Sequence, residues 1–161
     1  DFDFASQNGG GVTAITSIFF RKKSGLVNNL QAQWTIGKGI SDYFLAIGGS
    51  GLDGFASSDF SGKLNLLPVH AGFISYERYL NKKFHSMVMA SYNHFYEGAS
   101  TQAGWDRMTN YQFTLNASYD FLDCLTIGVE PQIGYKQLQY DNGSTQGANA
   151  VRINFGMLFN F

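Results

Sequence analysis

Charge is scarce in this 161-residue chain: Asp, Glu, Lys and Arg together make up 14%, against roughly 25% in soluble globular proteins. The formal net charge is -1, and no basic stripe tracks a phosphate backbone, so a nucleic-acid partner is not expected. A single cysteine, Cys124, excludes an internal disulfide. With His70, His85 and His94 scattered along the chain and no Glu or Cys at metal spacing, it offers no zinc-type site either. Prolines number two. No run of about 18 apolar residues occurs, so no transmembrane helix is expected. The chain opens on Asp1 with neither Met nor a charged-then-apolar leader, from which an export signal is expected to have been removed or the true start to lie upstream.

What the chain does have is aromatic residues (16%), nineteen glycines and alternation. The last eight residues, Asn154 to Phe161, are the most informative. Val151, Ile153, Phe155, Met157, Phe159 and Phe161 fall on one face of a strand, and Arg152, Asn154, Gly156 and Asn160 on the other, with Leu158 the exception. Six apolar side chains left on an edge strand in water would invite aggregation. A polar residue, a glycine two later and aromatics at third-last and last resemble the signal read by the bacterial barrel-insertion machinery. Asn154, Gly156, Phe159 and Phe161 are its candidate residues.

The same period runs upstream. In Tyr111 to Phe121 the odd positions are apolar and the even ones polar, a pattern with no helical reading. In Leu125 to Lys136, Leu125, Ile127, Val129, Ile133 and Tyr135 point one way and Thr126, Glu130, Gln132 and Lys136 the other. Pro131 cannot donate to a ladder and suggests a bulge. Further strands are expected over Gly11 to Lys23, Val27 to Ile47, Leu67 to Leu80 and Phe84 to Tyr96, with Asp1 to Ala5 a strand end. Tight turns at Ser24-Gly25, Asn81-Lys82-Lys83 and Leu122-Asp123-Cys124 alternate with longer connections at Gly48 to Asn65, Glu97 to Asn110 and Asp141 to Asn149. That alternation, with strands of about 9 to 11 residues or more, is the pattern of an outer-membrane barrel.

The fold class expected is therefore all-β: an antiparallel transmembrane β-barrel, with residues 1–161 a single domain or the carboxy-terminal half of one. Seven full strands and one stub sit awkwardly with the even numbers, from eight upward, of single-chain bacterial barrels. Either the stub completes an eight-stranded barrel or the chain belongs to a larger one.

From Thr35 onward the order of features resembles the DcaP-like outer-membrane porins. The matching pieces are Gly37-Lys38-Gly39-Ile40-Ser41-Asp42-Tyr43, Leu67-Pro68-Val69-His70-Ala71-Gly72-Phe73, Tyr76-Glu77-Arg78-Tyr79-Leu80-Asn81-Lys82-Lys83-Phe84-His85-Ser86, Gly128-Val129-Glu130 and Arg152-Ile153-Asn154-Phe155. Leu80 stands where that family commonly has Trp. The resemblance implies a trimeric barrel of about sixteen strands, of which this chain would be the carboxy-terminal portion, and uptake of dicarboxylates and other small anions.

On this reading the polar face lines water, and the candidate pore-lining residues are Arg78, Asn116, Asp120, Glu130, Gln132, Lys136 and Arg152. Arg21 and Lys38 would add to an anion-attracting wall if they face inward. Trp34, Tyr79, Tyr92, Tyr96, Tyr111, Tyr119 and Phe121 suit interfacial girdles. Ser86 or Ser91 beside His85 or His94 could suggest an enzyme, but neighbouring strand residues point to opposite faces or sit a pleat apart. The expected function is a passive channel for small hydrophilic, anionic solutes, with no reaction, cofactor or metal. Its expected partners are outer-membrane lipid, the solutes and further copies in a trimer or another membrane protein. The alternative is a small eight-stranded structural or adhesion barrel filled by its own side chains. A soluble ligand-binding barrel is disfavoured, because its apolar face would point inward.

Overall fold

The computed structural model describes residues 8–40, 53–56, 64–96 and 105–159. These form nine strands and no helix: β1 (Gly10–Arg21), β2 (Val27–Lys38), β3 (Gly54–Ala56), β4 (Leu64–Leu66), β5 (Pro68–Tyr79), β6 (Phe84–Tyr96), β7 (Arg107–Leu122), β8 (Leu125–Gln139) and β9 (Thr145–Phe159). Seven of them make one antiparallel sheet in the order β1-β2-β5-β6-β7-β8-β9, while β3 and β4 pair separately within the β2–β5 connection. Each long strand thus hydrogen-bonds to the next long strand along the chain. At ~3.4 Å per residue, the 12 residues of β1 extend about 40 Å, or about 29 Å along the normal when tilted by 45°, close to the ~30 Å of a hydrocarbon layer.

Tight turns gather at one end of the sheet. Between β1 and β2, Gly25 has φ 81°, a left-handed conformation that glycine alone adopts without a Cβ penalty, and its N–H donates to the Lys22 carbonyl at 3.0 Å. Between β5 and β6, the Asn81 side-chain oxygen accepts from the backbone N–H groups of Lys83 and Phe84, both at 2.8 Å, which replaces a backbone turn with a side-chain one. The Lys22 ammonium donates to the carbonyl of Tyr79 and ties the two turns together. Leu122 pairs with Leu125 across the two-residue turn Asp123-Cys124.

Period-2 alternation with continuous register gives the sheet two chemically distinct faces. On one lie the apolar residues Leu115, Val88, Ile133 and Phe155, all well exposed. On the other lie Thr114, Asn116, Glu130 and Asn154. Among the described residues each long strand contacts chiefly its neighbours within the sheet, yet Thr114 is 1% exposed and its neighbour Leu115 41%. The polar face is therefore the inner, less exposed side of the sheet and the apolar face its outer, more exposed side, the inverse of a water-soluble sheet.

Both edges are open among the described residues. Every residue of β1, and all of β9 but Asn154, is exposed. β1 starts beside Lys38 and β9 starts beside Gln139, both at the end of the long connections, so the two edge strands run in the same direction. They cannot pair antiparallel with each other.

Three expectations need correction. Pro131 causes no bulge: the pairs it and Glu130 would make with β7 drop out between Thr114↔Gln132 and Ala117↔Val129, and the register is kept. The register shift lies instead between Asp120 and Leu122, at the turn. The connection expected over Asp141 to Asn149 is shorter, because β9 already begins at Thr145. The Gly48 to Asn65 connection carries β3 and part of β4, whose three-residue strands are too short to show a period. The strand expected to reach Ile47 is described only to Lys38, and residues 1–7 and 41–52 lie outside the described residues.

Candidate functional site

The polar face of β7, β8 and β9 is organised around Glu130. Its carboxylate accepts from the side-chain amides of Gln132 at 2.7 Å, Asn154 at 3.2 Å and Asn116 at 3.4 Å. Asn116 in turn accepts from Ser118 Oγ at 2.8 Å. Asn116, Glu130 and Asn154 are neighbours on three successive strands because register sets them at one level. Four residues nearer the turns, Asp120 accepts from Thr126 Oγ1 at 2.7 Å. Both carboxylates are thus held by neutral donors, which stabilise charge without neutralising it.

The cations sit farther toward the long connections. Arg152 is level with Gln132 and Lys136 is four residues beyond, level with Asn110. Neither forms an ion pair among the described residues, where the one ion pair, 3.6 Å between Arg107 and its neighbour Asp106, is a surface contact. Six of the seven candidate pore-lining residues therefore share one face. Arg78 does not. It pairs with Ser86 and shares the face of Ile74 and Val88, because β5 alternates in unbroken register and Glu77, not Arg78, falls on the polar side. Lys38 likewise lies on the apolar side, opposite Pro68, whereas Arg21, in phase with Thr13, lies on the polar side. The polar face thus carries Arg21, Lys136 and Arg152 against Glu77, Asp120 and Glu130, an even balance in which Arg21 stands at the tight-turn end and the other two cations toward the long connections.

Three buried polar atoms on this face, Asn29 Oδ1, His85 Nδ1 and Asn110 Nδ2, have no hydrogen-bond partner among the described residues. Buried groups of this kind are ordinarily paired. Toward the long connections the face turns apolar: Val69, Phe95 and Met108 occupy one register row and pack with Ile40 and Leu67 as the buried core, with Trp105 and Leu138 against it. The sequence reading missed this cluster. Its one available signal was the loss of alternation where Leu66-Leu67-Pro68-Val69 and Phe95-Tyr96 put apolar residues on both phases.

The outer face carries a row of large rings. Trp34, Gly72, Tyr92, Tyr111 and Tyr135 are successive register partners across β2, β5, β6, β7 and β8. Trp34 and Tyr92, the two neighbours of Gly72, stack at 6.1 Å, and Tyr92 meets Tyr111 at 5.3 Å. One level beyond, His70 and His94 are partners with ring centroids 5.2 Å apart, and His94 Nδ1 lies 2.7 Å from Thr109 Oγ1. Tyr79, expected among the girdle residues, instead falls on the polar side and stacks on His85 at 5.0 Å. Tyr119 and Phe84 form the corresponding outer row eight residues nearer the turns, roughly 27 Å along the strand, close to the ~25 Å apolar band of outer-membrane barrels.

His85 and Ser86 lie on opposite faces, as do Ser91 and His94, so neither pair is assembled for nucleophilic chemistry. No group of three or more His, Cys, Asp or Glu is placed to hold a metal among the described residues. In the carboxy-terminal strand, Asn154 and Gly156 lie on the polar side and Phe159 on the apolar side, and Phe161 lies outside the described residues. Compared with family models, curated proteins and solved structures, the chain matches none.

Proposed function

We propose that this chain forms part of the wall of an outer-membrane channel through which small hydrophilic solutes, anions among them, diffuse passively, without cofactor or reaction. The observation that carries the reading is the inverted chemistry of the sheet. An exposed apolar outside suits lipid, and a polar inside, with charges held by amides, suits an aqueous lumen. On an inner face whose charges balance, anion preference rests on Lys136 and Arg152, the free cations nearest the long connections.

Closure of such a barrel requires more strands than these seven. Because β1 and β9 run in the same direction, an odd number of further strands between them keeps every pairing antiparallel, as in a porin-sized barrel of the DcaP-like kind. The apolar cluster of Val69, Phe95 and Met108 favours a second reading, a narrow barrel filled by its own side chains. Conductance separates the two. Folded protein in a planar bilayer is expected to carry steady ohmic current, and folded protein that stays silent identifies the filled barrel.

A further inference from the structure

We propose that the outer face holds a site for one anionic lipid, its acyl chain lying in a furrow beside Trp34 and its phosphate at Lys38, His70 and Tyr96. The inference rests on the membrane reading above. Two cavities on the outer face, one on either side of the stacked rings of Trp34 and Tyr92, define it. The lower, about 630 Å³, is floored by Ala32 and Ala90 and walled by Ile74, Tyr92 and the Trp34 ring that covers Gly72. Small residues lower the surface between strands while the flanking rings raise its banks, and the result is an apolar trough open to the outside.

The upper cavity, about 480 Å³, continues in the same direction and holds Lys38, His70 and Tyr96 over Val12, Ile36 and Pro68. The two cavities lie on one face, since residues two apart such as Trp34 and Ile36 share it, and they flank the stacked rings of Trp34 and Tyr92. An acyl chain in the lower one therefore passes over these rings to reach a headgroup in the upper one. No Asp or Glu lines either cavity. An ammonium, an imidazole and a phenol therefore converge on one pocket with no carboxylate to compete, the complement of a phosphate. The Tyr92 hydroxyl lies 3.4 Å from His70 Nε2 and adds a further polar group at the junction.

The polarity of the pair selects an amphiphile over a free anion. Ala32 and Lys38 are six residues apart on one strand, about 20 Å at ~3.4 Å per residue, apolar at one end and cationic at the other. The ring row of Trp34, Tyr92 and Tyr111 marks the level between, where amphipathic rings sit at a headgroup boundary. The headgroup thus belongs to the leaflet at the long-connection end, and the chain points toward the middle of the bilayer. A lone basic residue at that depth would attract anionic lipid without choosing a place for it. The furrow supplies the place.

The test uses the intact protein in phosphatidylcholine vesicles, in a Trp105→Phe background so that Trp34 is the fluorophore. Phosphatidic acid brominated along its acyl chains is expected to quench Trp34 saturably, at about one lipid per chain and at lower mole fraction than brominated phosphatidylcholine. Lys38→Gln should weaken the preference for phosphatidic acid about fivefold, and Ala90→Leu, which fills the trough, should abolish saturable quenching without preventing insertion. Excess inorganic phosphate should leave the quenching unchanged. Equal quenching by the two lipids, or an unaltered preference in Lys38→Gln, overturns the proposal. Competition by free phosphate overturns the lipid assignment in favour of a simple anion site. Protein that fails to float with the vesicles overturns the membrane reading itself, a result distinct from inserted protein with no preference.

Discussion

The indole of Trp34 lies across Gly72, its register partner on the neighbouring strand, so closely that a Cβ at position 72 would collide with the ring. The absent side chain lets Trp34 bridge to the far strand, where it stacks on Tyr92 at 6.1 Å, while it also meets His70 at 5.6 Å. An aromatic that covers a strand glycine both shields bare backbone and pins register.

Gly72→Ala is therefore expected to destabilise the folded protein by about 1 to 3 kcal/mol, the cost of forcing extra volume into a filled contact. Gly10→Ala, where nothing lies within 4 Å of the new methyl, should stay within about 0.5 kcal/mol of the parent. Urea unfolding in detergent micelles measures both. Equal effects would mean that the Trp34 contact is not formed.

Adjacent residues of β7 should respond in opposite ways to the same charge. Leu115 is an exposed apolar residue of the outer face and Asn116 a hydrogen-bonded residue of the inner one. Leu115→Arg is expected to cost about 2 to 4 kcal/mol in a bilayer if it lies near the midplane. Asn116→Arg should cost much less, since the new guanidinium meets the Glu130 carboxylate. Folding equilibria in lipid vesicles report the difference, and equal costs would contradict the assignment of the faces.

Lys136 and Arg152 have no ion-pair partner to lose among the described residues, so their charge acts on the solution beside them. Replacing both by Glu should move the zero-current potential of the reconstituted protein toward cation preference. The shift should shrink as salt rises, because the Debye length falls from about 30 Å at 0.01 M to about 10 Å at 0.1 M. Arg78→Glu, on the other face, should leave selectivity unchanged. Current with unaltered selectivity in the double variant would remove these two residues from the lumen.

Removing Phe161, or extending the chain beyond it with charged residues, is expected to lower the amount of folded, heat-modifiable protein recovered from outer membranes. The expectation comes from the terminal alternation that β9 carries as far as Phe159. Undiminished folding would show that assembly does not read this end of the chain.

The strands that alternate cleanly were legible in the sequence with their faces: β7, β8 and β9 present Leu115, Ile133 and Phe155 on one side and Asn116, Gln132 and Asn154 on the other, as period 2 requires. Arg78 was misplaced because β5 offers no such contrast. Tyr76-Glu77-Arg78-Tyr79 puts an aromatic and a charge on each phase, so only pairing with Ser86 and Tyr79 with His85 fixes the side. The three-residue strands β3 and β4 leave no periodic trace. Trp34, Tyr92 and Tyr111 were legible as girdle aromatics, but not that they form one row with Tyr135: they are distant in sequence, and register, a property of the assembled sheet, aligns them.

The ordering of charge on β7 to β9 gives the inner face a direction. Lys136 and Arg152 stand toward the long connections, Glu130 and Asp120 toward the tight turns. Fixed charges of opposite sign at the two ends of a conduit enrich opposite ions there, and an applied voltage either fills the passage with carriers or drains it. An ionic current along this face is accordingly expected to rectify, and the favoured polarity, read in a bilayer entered from one side, reports which way the molecule points.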